Sequence, residues 1–167
     1  MAEVGEPAIT VRAATPADRT AVRSFISAET ARGRASLVLL RAGQGLLWVA
    51  VEGAEAGGQK LVGLLLATIQ IDATDATGAE REEPVGYIHE LLVHPAYRRL
   101  GVANHLLDAA ERYFLDEQGL PGVELVTSFD NEAALHLYRS RGYAVSQVRL
   151  SKRPADSTPS DSSDSSD

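Results

Sequence analysis

Apolar and polar residues alternate over positions 8–13, with Ile9, Val11 and Ala13 on one side, which predicts a half-buried strand. Thr15-Pro16-Ala17-Asp18 then reads as a helix start. Threonine caps, proline suits the first helical position, and Asp18 falls in the first turn. Ala21, Val22, Phe25 and Ile26 recur at helical spacing, and the helix fades toward Gly33. The short apolar run 36–41 fits a second helix or a strand. Positions 46–52 and 61–71 are strands joined by a glycine-bearing turn, an antiparallel hairpin. Gly63 inside the second strand predicts a bulge or a close backbone approach. Positions 72–84 have no period and read as an exposed, mobile loop. Positions 85–93 form a central strand. A helix over 101–118 follows, with Val102, Leu106, Leu107, Ala110 and Phe114 on one side, and Gly119-Leu120-Pro121-Gly122 stops it. A strand at 123–127 precedes a helix capped by Asp130 or Asn131. That helix runs through Arg141 with Ala134, Leu135, Leu137 and Tyr138 on its apolar side, and Gly142 ends it. Positions 143–150 are a last strand.

This order is a mixed α/β (α+β) pattern: a hairpin-rich first half, then strand–helix alternation. A chain of 167 residues with 44% apolar content predicts one domain with a real core. Residues 1–7 carry no apolar run and are expected to be flexible, without a signal peptide. Residues 8–153 form the folded domain. Residues 154–167, P-A-D-S-T-P-S-D-S-S-D-S-S-D, have too little apolar bulk to offset their ordering entropy and read as a disordered acidic Ser/Asp tail. The tail's four aspartates account for the difference between a net charge of −7 and one of −3. This acidity argues against nucleic acid as a partner. No apolar run approaches the roughly 20 residues of a membrane helix, so no membrane partner and a cytoplasmic location are expected. The absence of cysteine excludes a disulfide framework, a thiol nucleophile and thiolate metal sites. The four histidines, His89, His94, His105 and His136, lack metal-ligand spacing, so no metal is expected. His94, at a strand exit, reads as a surface residue. The sequence leaves the oligomeric state open, a homodimer included.

Chemistry concentrates in positions 87–103, Y-I-H-E-L-L-V-H-P-A-Y-R-R-L-G-V-A, where a strand passes through a basic turn into a helix. The first turn of a helix has free N–H groups and a positive dipole end. Gly101 lets a ligand approach the backbone closely. Arg98 and Arg99 add forked donors for phosphate oxygens. The turn therefore suits a pyrophosphate. His89 and Glu90 precede it and can accept protons. In a regular strand they face opposite sides, so one at most enters a cleft unless a bulge intervenes.

Arg98, Gly101 and Ala103 fill the fixed positions of Q/R-x-x-G-x-G/A. Positions 131–143, N-E-A-A-L-H-L-Y-R-S-R-G-Y, fit N-x-x-A-x-x-L-Y-x-x-x-G-F/Y. Together these segments resemble the acetyl-CoA signature and its companion motif in the GNAT acetyltransferase superfamily, over residues 8–150. The resemblance implies a central mixed sheet splayed at the fourth strand, with helices on both faces. It implies an N-acetyltransferase that moves an acetyl group from acetyl-CoA to a primary amine by direct attack in a ternary complex. In that family, backbone N–H groups matching Arg99, Gly101, Ala103 and Asn104, in a turn that here also holds Arg98, Leu100 and Val102, bind the pyrophosphate. Leu91, Leu92 and Val93 match the segment that pairs with the pantetheine arm as an added strand, one N–H polarising the thioester carbonyl. Asn131 matches a cofactor contact, and Tyr138 the tyrosine that protonates the leaving thiolate. Glu90 or His89 is left to bind the ammonium or take its proton. Arg99-Leu100 departs from the frequent Arg-Gly, at some loss of backbone freedom. The acidic loop residues Asp72, Asp75, Glu80, Glu82 and Glu83 favour a cationic small-molecule amine as acceptor, with a protein N-terminus or lysine as the alternative. A non-catalytic acyl-CoA-binding module is the rival reading. An acyltransferase using a longer acyl-CoA or a hydroxyl acceptor is a further one.

Overall fold

A computed structural model describes residues 8–29, 45–53, 58–71 and 83–146 of the chain. The expected element at 36–41, most of the loop at 72–84, both termini and positions 147–150 lie outside the described residues.

Strand β1 (Ile9–Ala13) leads through a 3-10 turn (Pro16–Asp18) into helix α1 (Arg19–Glu29). Asp18 builds this corner. Its carboxylate receives both terminal nitrogens of Arg12, at 2.7 and 2.9 Å, together with the backbone N–H of Thr15 at 2.7 Å and its hydroxyl at 2.9 Å. Val22, Phe25 and Ile26 are buried on α1 as the period predicts, but Ala21 is exposed, because the helix turns it off the packed stripe.

Strands β2 (Leu46–Glu52), β3 (Lys60–Ile71) and β4 (Pro84–Val93) continue the sheet antiparallel, and the short β5 (Val123–Leu125) joins β4 in parallel. The order is β1-β2-β3-β4-β5. The sheet is covered on both faces. Helix α2 (Val102–Glu111), extended by a π-helical turn (Arg112–Glu117), packs over Trp48, Ala50, Leu65, Ala67 and Ile88. Helix α1 covers Val49, Val51 and Leu64 from the opposite side. Burial of each large apolar side chain in these layers contributes roughly 1.5–3 kcal/mol. The expected apolar stripe of α2 is buried throughout: Val102, Leu106, Leu107, Ala110 and Phe114.

Close approach explains two glycines. A Cβ at Gly86 would stand 2.5 Å from Phe114 Cγ, and one at Gly63 would stand 3.0 Å from Val102 Cγ1. Gly63 also borders a bulge, since Ala50 pairs with Gly63 and Val51 with Leu61, leaving Val62 as the extra residue. Both expectations for Gly63 hold.

The strand expected over 123–127 ends at Leu125, and helix α3 (Glu132–Ser140) follows. Asn131 is the cap, its side chain accepting from Ala134 N at 3.2 Å, and Gly142 closes the helix with φ 89°. The described residues 143–146 are not in a strand, contrary to expectation. There the backbone of Tyr143 turns back to donate to the carbonyl of Tyr138 at 3.0 Å, a helix-closing bond that breaks the extended path. His94, expected at the surface, is half-buried at the strand exit. Its ring lies 6.5 Å from Phe25 and 5.7 Å from Tyr97, and its Nδ1 accepts from Ala96 N at 3.2 Å.

Candidate active site

The sheet opens along β4. Only Gly86, Tyr87 and Ile88 pair with β5, so positions 89–93 have no strand partner on that side among the described residues. This is where the sheet splays. The expected pantetheine segment, Leu91, Leu92 and Val93, lies wholly on this open edge. Its side chains serve the core, with Leu91 and Val93 packing beneath α2 and Leu92 on the α1 side. A backbone edge with anchored side chains can receive an extended ligand by strand addition.

A second irregularity sits at the start of the open edge. Leu66 pairs with Glu90 while Ala67 pairs with Ile88, so His89 is the bulged residue. Thr68 and Leu66 share a face of β3 with Leu64, on the α1 side. Tyr87 stands opposite Thr68, and Glu90 opposite Leu66. The His89 ring reaches this same face: its Nε2 is 2.8 Å from Thr68 Oγ1, and it lies 4.8 Å from the Tyr87 ring. The bulge therefore brings His89 and Glu90 to one side, where a regular strand would separate them. Burial lowers the His89 pKa below its ordinary 6.5, partly offset by the charge of Glu90. The ring is thus neutral near pH 7. Thr68 lies outside the sequence motifs, and Tyr87 opens the stretch 87–103 without a role assigned to it. The strand period alone could have placed them on this face, given the bulge.

At the far end of β4, a 3-10 turn (Pro95–Tyr97) leads into the basic turn. Arg98 Nε donates to the carbonyl of Val93 at 3.3 Å, tying the turn to the strand end. Arg99 takes φ 67° and Gly101 φ 79°, both left-handed. Leu100 between them does not, which is why a side chain is tolerated at that position. His105 N donates to Gly101 O at 3.1 Å, the first bond of the helix ladder. The N–H groups of Val102, Ala103 and Asn104 precede that bond at the helix start, where the dipole end is positive. Nothing crowds the glycine: an added Cβ would meet only His105 Cε1, at 3.8 Å. The donor set and the open space fit an anionic diphosphate.

Tyr138 projects from α3 onto the α2 side of the sheet, packed against the main core and 5.6 Å from the Tyr143 ring. Burial raises its pKa above the ordinary phenol value. Its hydroxyl has no hydrogen-bond partner among the described residues. The expected acid and the expected bases thus lie on opposite faces, with the open edge of β4 between them. Asn131 is exposed at the head of the same helix. Among the described residues, no group of three or more His, Asp or Glu side chains is arranged to hold a metal ion.

A family model described as "Acetyltransferase (GNAT) family" matches residues 16–143. The chain belongs to the GNAT family. Two curated relatives match parts of it. One is the N-alpha-acetyltransferase daf-31 of Caenorhabditis elegans, 36% identical over 80 residues, 48% of this chain and 40% of the relative. The other is a mycothiol acetyltransferase of Nocardiopsis dassonvillei, 39% identical over 71 residues, 42% of this chain and 21% of the relative. This GNAT chain therefore spans well under half the length of either. Among solved structures, the aminoglycoside acetyltransferase AAC(6')-Iy in complex with a CoA bisubstrate analogue superposes with a TM-score of 0.68 at 19% identity, covering 89% of this chain and 99% of that one. At that identity the likeness is one of fold.

Proposed function

We propose that this GNAT protein transfers the acetyl group of acetyl-CoA to a primary amine by direct attack. The observation that carries the reading is the coincidence of the signature turn, Arg98 to Asn104, with the open edge of β4 inside a GNAT-family chain. The turn holds the pyrophosphate through backbone N–H groups at the start of α2, with Arg98 and Arg99 adding charge. Leu91, Leu92 and Val93 align the pantetheine arm along the edge, and one of their N–H groups polarises the thioester carbonyl. Asn131 contacts the arm from the head of α3.

The acceptor enters from the α1 side. Its nitrogen attacks the carbonyl carbon, the carbon–sulfur bond breaks, and Tyr138 supplies a proton to the departing thiolate. A free alkylamine is mostly protonated near pH 7, so a proton must first leave it. Neutral His89, steered by Thr68, takes that proton, and Glu90 holds the ammonium. The acceptor that suits this face is a cationic small-molecule amine, since a carboxylate and two aromatic rings line it. A protein N-terminus is the second reading, favoured by the match to a relative named as an N-alpha-acetyltransferase. The test is release of coenzyme A thiol from acetyl-CoA with a panel of polyamines, aminoglycosides and short peptides. Turnover with the amines and none with the peptides is the expected result. Peptides alone active would move the acceptor to a protein terminus. Tight binding of acetyl-CoA with no turnover on any amine would make the protein a binding module.

A further inference from the structure

One arginine fastens the two motif helices together. Arg141, just past the end of α3, donates from Nε to Glu111 Oε1 at 3.1 Å and from Nη2 to Glu111 Oε2 at 2.6 Å. The same Nη2 reaches Asp108 Oδ1 at 2.6 Å, and Nη1 reaches Asn104 Oδ1 at 3.2 Å. Asn104, Asp108 and Glu111 follow one another at helical spacing along a single face of α2. The guanidinium fork thus spans the helix from the turn that reads as the phosphate cradle to its last residue. A lysine, with a point charge and no fixed fork, cannot match these four contacts.

The fastening continues to the candidate acid. Tyr143 donates its hydroxyl to Glu111 Oε1 at 3.0 Å and its backbone N–H to the carbonyl of Tyr138 at 3.0 Å. The Tyr143 ring stacks edgewise on the Tyr138 ring at 5.6 Å. No residue of α3 is fully buried, and its hold on the core is through the partly buried Leu137 and Tyr138. By contrast, α2 is anchored by Leu106, Leu107 and Ala110, all fully buried. Arg141 and Glu111 add a polar tie to this partial packing.

We propose that Arg141, through Glu111 and Tyr143, is a positioning residue that sets where the Tyr138 hydroxyl meets the thioester sulfur. The inference rests on the reading of Tyr138 as proton donor to the thiolate. The phosphate turn keeps its own support from the core beneath α2. Loss of Arg141 therefore affects chemistry and spares cofactor affinity.

The experiment is a double-mutant cycle on the full chain with Arg141→Lys and Tyr138→Phe, reading kcat for thiol release and the calorimetric Kd for coenzyme A. Arg141→Lys is expected to lower kcat about tenfold, because a small misplacement of a catalytic group is costly, and to leave Kd within about twofold. Added to Tyr138→Phe, it should cause no further loss. Losses that multiply in the double variant, or a change confined to Kd, overturn the positioning role and leave the acid reading intact. Wild-type kcat in Tyr138→Phe alone overturns the acid reading, and the positioning role with it. Should Arg141→Lys not fold, Glu111→Gln takes its place in the cycle: it preserves the shape and removes the charge, with the same two outcomes.

Discussion

Tyr138 and His89 are shifted in directions that match opposite duties. Burial raises the phenol of Tyr138, which keeps its proton well above neutral pH and can deliver it to a thiolate. Burial lowers the imidazole of His89, which is therefore unprotonated near pH 7 and can accept. Removal of a general acid typically costs a factor on the order of 10² or more, so Tyr138→Phe is expected to lower kcat by that order and leave acetyl-CoA affinity intact, as steady-state kinetics beside calorimetry would show. For His89 the sign is equally definite. As pH falls through its lowered pKa the ring gains a proton and stops accepting, so log kcat should bend downward below the ordinary value of 6.5. Glu90 raises that pKa, so Glu90→Gln should move the bend to still lower pH. His89→Gln should remove it. A bend that stays in place in the Gln variant assigns it to another group.

Between residues and the whole molecule, the elements show what a linear reading can and cannot reach. The apolar stripe of α2 and the alternation in β2 and β3 name the core, because burial imposes its period on the sequence. A bulge has no period. The side on which His89 lies depends on a register slip against Ala67, a partner distant in sequence, and no local pattern carries it. The end of β5 at Leu125 has the same character, since strand length is fixed by pairing with β4. Local chemistry reads well where it is local, as at the corner between β1 and α1. The Arg12 guanidinium, with help from Thr15, holds the Asp18 carboxyl far below its ordinary 3.8. A carboxylate with a lowered folded pKa stabilises fully above the unfolded value and loses that contribution as pH falls through the folded one. Asp18→Asn should therefore cost about 2 kcal/mol at neutral pH, the scale of a charge-assisted hydrogen bond in a part-buried site. The gap in Tm to the wild type should narrow only below pH 3.8. Gly86→Ala is a test of packing at this scale: its Cβ would press the Phe114 ring, which is fully buried and cannot swing away. Overpacking of this kind costs about 1–3 kcal/mol, read as a lower denaturation midpoint with an unchanged m-value.

For the molecule as a whole, the open edge of β4 is a sheet that stops pairing where the family's donor is expected to lie. A ligand that completes the edge and neutralises the turn binds the folded state alone, and so must stabilise it by mass action. At a concentration about a hundredfold above Kd the gain is about 2.7 kcal/mol, which for a chain of this size corresponds to a rise in Tm of roughly 5–11 °C. Gly101→Asp separates ligand linkage from folding. The site has room for the side chain, whose Cβ would meet only His105 Cε1 at 3.8 Å. Aspartate also tolerates a left-handed backbone better than most residues. The unliganded variant should therefore melt within a few degrees of the wild type, at a strain cost of about 1 kcal/mol. Its carboxylate, however, would sit among the free N–H groups of α2 and repel a diphosphate. Thermal melts with and without acetyl-CoA should then show the full rise for the wild type and none for the variant. An equal rise in both would mean that the donor is held somewhere other than the turn from Arg98 to Asn104.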